Sequence, residues 1–282
     1  METLVLEKET ELDEDLFHVE EDFEPSTLIK KEKIKFGNHD VMVIILLEKN
    51  LNFKNFLKPY EISICGKKMW EWVRLAASGY KTKTTTCTNE TDVLALIKPL
   101  LEDQKYTAVL YSDTPLLKKS TFDEIMTFAE SRDVNVLCLT RGYVFNTEYI
   151  KKATSIQATQ TEYFDEEDFL TAYDLKQLAF ITDIMRNRIL DYHMRNGVLI
   201  ENPQTVFIDA DVVIEPGVQI KANNHLRGRV IIGKNCILDA NNIIEDSIIS
   251  DGCIIRQSYI SQSRISEYLT VGPFEKIEKQ ST

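Results

Sequence analysis

From Ile208 to Val271 an aliphatic side chain returns at a fixed short interval. Ile208, Ile214, Ile220, Leu226, Ile232, Leu238 and Ile244 stand six residues apart, and Ile249, Ile255, Ile260, Ile265 and Val271 continue at steps of five or six. A helix repeats its faces roughly every 3.6 residues and a strand every two, so neither holds this period. A coil of three short strands does, because each step turns one corner and returns one side chain to the interior. Gly217, Gly228, Gly233 and Gly252 fall at the corners. The twelve positions predict about four coils of a left-handed parallel β-helix of hexapeptide repeats over residues 197–276.

Upstream, the pattern is that of an α/β domain over residues 38–166. The run Asp40–Leu47 is continuously apolar after its first residue, as a strand buried on both faces requires. Helices are expected near 68–78, 90–101 and 120–131, with strands near 107–111 and 134–140. Such alternation gives a Rossmann-like, largely parallel sheet. Residues 167–196 read as one linker helix. Leu170, Leu175, Leu178, Ile181, Ile184, Ile189 and Tyr192 recur at helical spacing, and no Pro or Gly intervenes before Gly197. Residues 1–37 are expected to be an acidic, flexible lead segment and residues 277–282 a short tail.

Charge narrows the function classes. Of a net charge of −12, the first 24 residues carry eleven acidic side chains against one lysine. The remainder is close to neutral and offers no basic face for nucleic acid. No apolar run approaches the roughly 20 residues of a membrane span, and the acidic start resembles no secretory or mitochondrial signal. The five cysteines are odd in number and form no CxxC pair, which implies reduced thiols and a cytoplasmic setting. Cys236 and Cys253 read as small core residues of the coils, and Trp70 and Trp72 as packing residues of an early helix. His225 reads as a coil-edge histidine. Lys81 and Lys83, among Thr82 and Thr84–Thr86, read as a polar loop.

The entry into the coils is specific. Residues 195–209 read RNGVLIENPQTVFID and residues 213–220 read VIEPGVQI, and the coils run to Val271-Gly-Pro-Phe274. With Leu110–Leu117 (LYSDTPLL) and Phe169–Leu178 (FLTAYDLKQL), these segments resemble the bacterial bifunctional N-acetylglucosamine-1-phosphate uridyltransferase/glucosamine-1-phosphate acetyltransferase over about residues 40–277. That resemblance implies a reduced nucleotidyltransferase-like domain, a homotrimer packed through the β-helix, and magnesium as the metal. On the family's motifs, Asp113 and Ser112 match its "GD" pair. Asn146 stands as the remnant of a sugar-binding strand. Asp174, beside Tyr173, substitutes for a missing asparagine, so that Asp113 and Asp174 form the metal pair.

The departures from the family are as informative. Its glycine-rich phosphate loop after the first strand has no counterpart: Leu46–Phe53 contains no glycine, and Glu48 puts a carboxylate where phosphate would sit. Tyr60 stands for a lysine, and Asn89–Val93 replaces a base-reading segment. Asp113 and Tyr173 stand only 60 positions apart, about half the family's spacing. Acetyl transfer is not expected, since the later coils that carry it have no counterpart. The expectation is a catalytically impaired, sugar-nucleotidyltransferase-like protein related to UDP-GlcNAc synthesis enzymes. It would bind a sugar nucleotide or serve as a scaffold or regulatory trimer, alone or mixed with a full-length family member. The alternative is a divergent magnesium-dependent nucleotidyltransferase acting on a sugar 1-phosphate.

Overall fold

The computed structural model describes residues 40–49, 53, 58–88, 91–162 and 164–278. The acidic lead segment and residues 279–282 lie outside the described residues.

The first unit is a mixed sheet with helices on both faces. Its elements in chain order are β1 (Val41–Glu48), a small hairpin of β2 (Ser63–Ile64) and β3 (Lys67–Lys68), α1 (Met69–Ala76), β4 (Lys81–Cys87), α2 (Val93–Ile97), β5 (Tyr106–Tyr111), α3 (Lys119–Ser131), β6 (Val136–Leu139), β7 (Gly142–Asn146), α4 (Thr147–Lys152) and β8 (Gln160–Thr161). The sheet order is β4-β1-β5-β7-β6-β8. All neighbours are parallel except β7, which runs antiparallel to both β5 and β6. The continuous apolar run of β1 now has its reason. Val41, Val43 and Ile45 face α1 and α3, meeting Val73, Phe122 and Ile125, while Met42, Ile44 and Leu46 face α2 and α4, meeting Leu94, Ile97 and Ile150. Segment 81–87, read as a polar loop, is a strand. It was missed because its β-formers are threonines rather than aliphatics.

The linker helix, α5 (Leu175–Arg195), is shorter than the sequence periodicity suggests. Residues 166–169 form a 3-10 turn instead, because the acidic side chains before Leu175 are engaged elsewhere. Asp168 is fully buried and pairs with Lys118 at 2.8 Å and Arg188 at 3.0 Å. Asp174 opens the helix as its N-cap, accepting from the Gln177 N–H at 2.7 Å.

Beyond α5 the chain winds into a three-sided parallel β-solenoid. One face stacks Phe207–Ile208, His225–Arg227, Ile243–Glu245, Tyr259–Ser261 and Lys276–Glu278. A second stacks Val213–Ile214, Ile231–Ile232, Ile248–Ile249 and Arg264–Ile265, and the third runs from Leu199–Ile200 to Thr270–Val271. All twelve residues of the aliphatic period are buried inside, and Cys236 and Cys253 with them. The five-residue steps arise at corners shortened by one residue. Asp246, Gln257 and Gln262 hold left-handed backbone there, with φ of 45–48°. A buried amide ladder adds axial hydrogen bonds: Asn242 Nδ2 donates to Asn224 Oδ1 at 2.9 Å, and the Ser258 N–H donates to Asn242 Oδ1 at 2.9 Å. The last strand runs to Glu278, two residues into the expected tail.

The two units share a core. Trp72 of α1, Ile64, the inner face of α5 (Ile181, Met185, Ile189) and the solenoid interior form one apolar cluster. The β2–β3 hairpin rests on the first coil, with the Ala210 N–H donating to the Cys65 carbonyl at 3.0 Å and Lys67 bound to Asp211 at 2.6 Å. A Cβ at Gly66 would meet the Asp209 Cβ at 2.8 Å, so glycine is required at that contact.

Ile244 is fully buried between coils that cannot close independently. Ile244→Ala is expected to cost about 2–5 kcal/mol in urea unfolding, and a cost under about 1 kcal/mol would mean that the coils relax around the cavity.

Candidate functional site

The C-terminal ends of β1 and β5 lie side by side, with Leu46 paired to Tyr111. Open α/β sheets bind ligands at such ends. Ser112 extends the pairing by one step: its N–H donates to the Leu46 carbonyl at 2.9 Å, and its hydroxyl accepts from the Glu48 N–H at 3.0 Å. Glu48 and Asp113 are thereby fixed beside each other, 6% and 2% exposed.

The turn between β6 and β7 reaches the same end of the sheet. Gly142 opens β7 with φ of 127°, and a Cβ there would lie 2.5 Å from the Val109 carbonyl oxygen. Only glycine allows that approach, which delivers Arg141 over the strand ends. Its Nη2 donates to Glu48 Oε2 and, at 2.8 Å, to Asp113 Oδ2; its Nε donates to Asp113 Oδ1 at 3.3 Å. The guanidinium lies 3.9 Å above the Tyr111 ring, a cation–π arrangement. Cys87, paired with Glu48 across the strands, is buried beside the cluster, and burial pushes its thiol up to about 12.

Two carboxylates share one cation here. Burial, then the charge of Asp113, push Glu48 up to about 7, against the pull of Arg141. Glu48 therefore takes up a proton near neutral pH, which removes the excess negative charge.

The four residues singled out by sequence do not form one site. Ser112 and Asp113 are together. Asp174 lies two residues beyond Ala172, whose N–H donates to the Asp113 carbonyl at 2.7 Å, but its carboxylate caps α5. Asn146 pairs with Tyr106 at the opposite end of β5, roughly 20 Å away along the strand, and caps α4 by accepting from the Tyr149 N–H at 3.1 Å. The sequence therefore misplaced Asn146: it shares a sheet with Asp113 but faces the other rim. Arg141, which sequence reasoning passed over, holds the cluster together.

A magnesium ion does not fit this donor set. Both Asp113 oxygens are taken by Arg141, one Asp174 oxygen is taken by the helix cap, and a guanidinium occupies the place of the cation. Among the described residues no group of three or more His, Cys, Asp or Glu could hold a metal ion. No described helix is long and apolar enough to cross a membrane.

Replacing Glu48 by Gln keeps its shape and removes its titration. Because the folded-state value is raised, Glu48 contributes stability that is full below its unfolded value of 4.5 and is lost as pH rises through about 7. The stability of wild type relative to Glu48→Gln, from urea titrations at pH 5 and pH 8, is expected to fall by on the order of 1–3 kcal/mol. A difference that does not change with pH would contradict the raised Glu48 value.

No protein-family model matches the chain. It is 34% identical over 165 residues to bifunctional protein GlmU of Streptococcus gordonii, an alignment covering 57% of this chain and 35% of the relative. It is 40% identical over 117 residues to bifunctional protein GlmU of Streptococcus thermophilus, covering 42% and 25%, and 36% identical over 121 residues to that of Alkaliphilus oremlandii, covering 41% and 25%. Among solved structures, molybdopterin-guanine dinucleotide biosynthesis protein A from Archaeoglobus fulgidus superimposes at a TM-score of 0.40 with 15% identity, over 52% of this chain and 99% of that one. The chain spans about a third of the length of the first curated relative it matches, and over that stretch it is a sequence relative of the bifunctional GlmU proteins.

Proposed function

We propose that this is a sugar-nucleotidyltransferase-like protein of the UDP-GlcNAc type that does not transfer nucleotides. In this reading it is a cytoplasmic binding, scaffold or regulatory protein. Its solenoid is left-handed and packs three copies together, alone or mixed with a full-length relative.

The observation that carries the reading is the Glu48–Arg141–Asp113 cluster. Nucleotidyl transfer works through positioning and charge compensation: cations and backbone amides must meet the phosphates as charge develops. Here the end of β1 presents a buried carboxylate instead, and the one cation beside it among the described residues, Arg141, is committed to two internal carboxylates. A triphosphate arriving at this rim would meet negative charge. It would have to strip Arg141 from both partners, leaving them buried and unpaired, which costs on the order of 3–5 kcal/mol. The absence of glycine from Leu46–Phe53 points the same way, because phosphate binding by a loop after β1 needs close backbone approach.

Purified protein incubated with UTP, N-acetylglucosamine 1-phosphate and magnesium is expected to release no pyrophosphate above a protein-free control. Neither UTP nor UDP-GlcNAc with magnesium is expected to displace Arg141, so UTP should leave the melting temperature unchanged. Uridylyl transfer at a rate proportional to enzyme concentration would overturn the proposal. A binding-only role for the sugar nucleotide would show as a shift with UDP-GlcNAc that needs no magnesium.

A further inference from the structure

Strand β4 ends the six-stranded sheet, and its outer edge is open among the described residues. The direction of its peptide groups follows from one hydrogen bond. The Cys87 carbonyl accepts from the Lys49 N–H at 3.0 Å, so the peptide groups of Cys87 point toward β1. Strand alternation then turns those of Thr85, Lys83 and Lys81 the same way, and those of Thr82, Thr84 and Thr86 outward. Three N–H and three C=O groups thus line the rim, and none has a backbone partner among the described residues.

Sheet edges are normally kept apart by brevity, proline, a bulge or charge. β4 has seven residues, pairs with β1 in unbroken register and contains no proline. Four of the seven are threonines, which favour strands. Its two lysines, the usual guards of an edge, are engaged elsewhere. Both bind Glu102, Lys83 at 2.7 Å, and Lys83 also donates to the Leu100 carbonyl at 2.9 Å.

We propose that β4 pairs antiparallel with β4 of a second copy of this chain, across a two-fold axis at Thr84, joining two sheets into one of twelve strands. That register sets Thr84 opposite Thr84, Thr82 opposite Thr86, Lys83 opposite Thr85 and Lys81 opposite Cys87. Each outward-facing residue meets an outward-facing residue, as the hydrogen-bonded pairs of an antiparallel ladder require. Threonine faces threonine, and no lysine faces a lysine. The neighbouring registers are worse. Centring on Thr82 sets Lys81 against Lys83, with like charges opposed, and centring on Thr86 leaves the N-terminal half of the strand unpaired. Two-fold pairing also closes on itself, whereas parallel pairing of one edge with another does not. The surface is the outer edge of the sheet, so the inference does not rest on the functional reading above.

Light scattering on wild type and Thr84→Pro tests it. Proline is tolerated at an outward-facing edge position, where its missing N–H removes only an intermolecular bond. Wild type is expected to have twice the mass of Thr84→Pro, with the same circular dichroism. Equal masses, whether both are monomers or both trimers, would overturn the proposal. Should the proline variant fail to fold, Thr84→Cys decides. Hydrogen-bonded pairs hold Cα atoms about 5.5 Å apart, within disulfide reach. Oxidation with copper–phenanthroline should give a reducible dimer in the variant and not in wild type, and its absence would overturn the inference.

Discussion

Among the described residues the strands of each coil pair only with strands of the coil before it and the coil after it. The strands are two or three residues long, too short to persist alone, and become stable because their neighbours template them along the axis. Such a stack needs a foundation. The first coil finds one in α5 and the β2–β3 hairpin, whose apolar side chains merge with the coil interior in a single core. Trp72 anchors that junction, with its indole Nε1 donating to the Ile64 carbonyl at 2.9 Å. The solenoid is therefore continuous with the α/β unit in its packing, while the two faces of the sheet keep further apolar clusters of their own.

The loop after β5 lies where these dependences cross. Asp113 binds Arg141 through its carboxylate and Ala172 through its carbonyl, and three residues later the Leu116 carbonyl accepts from Arg188 of α5 at 2.6 Å. Arg188 in turn pairs with the buried Asp168. The chain from Ser112 to Leu117 is thus tied to the sheet rim on one side and the linker helix on the other. Buried ion pairs of this kind contribute little net stability after desolvation, but breaking one partner is costly, so they fix geometry. The strand-end cluster and the seat of α5 are parts of one arrangement.

What the sequence disclosed followed from range. The solenoid was legible because its signal is local and repeated: each corner brings one aliphatic side chain inward after five or six residues, and the shortened steps at Ile249, Ile260 and Ile265 remain visible as such. β1 was legible because both faces are buried. β4 was not, since Lys81–Cys87 alternates threonine and lysine like a loop, and only pairing with β1 makes it a strand. Asp113 was legible as a carboxylate at the end of a buried strand. Arg141 was not, because its role depends on an antiparallel turn that brings together residues 28 and 93 positions apart. Asp174 and Asn146 show the opposite error. Both are acceptors immediately before a helix, and capping, the ordinary use of such residues, accounts for them.

The strand-end cluster also shows how charge at the rim of an open sheet can be met from within the chain. The helices that follow the strands of an open α/β sheet bring their N-termini, with partial positive charge and unpaired amides, to the C-terminal rim of the sheet, and such groups need partners. Here Ser112 takes the Glu48 N–H, Glu48 and Asp113 supply negative charge, and Arg141 covers both while resting on Tyr111. The remaining imbalance is one negative charge, which a proton on Glu48 removes. A phosphate would increase that imbalance, whereas a proton cancels it. Among the described residues the charges at the rim are therefore met internally, and a proton on Glu48 balances them.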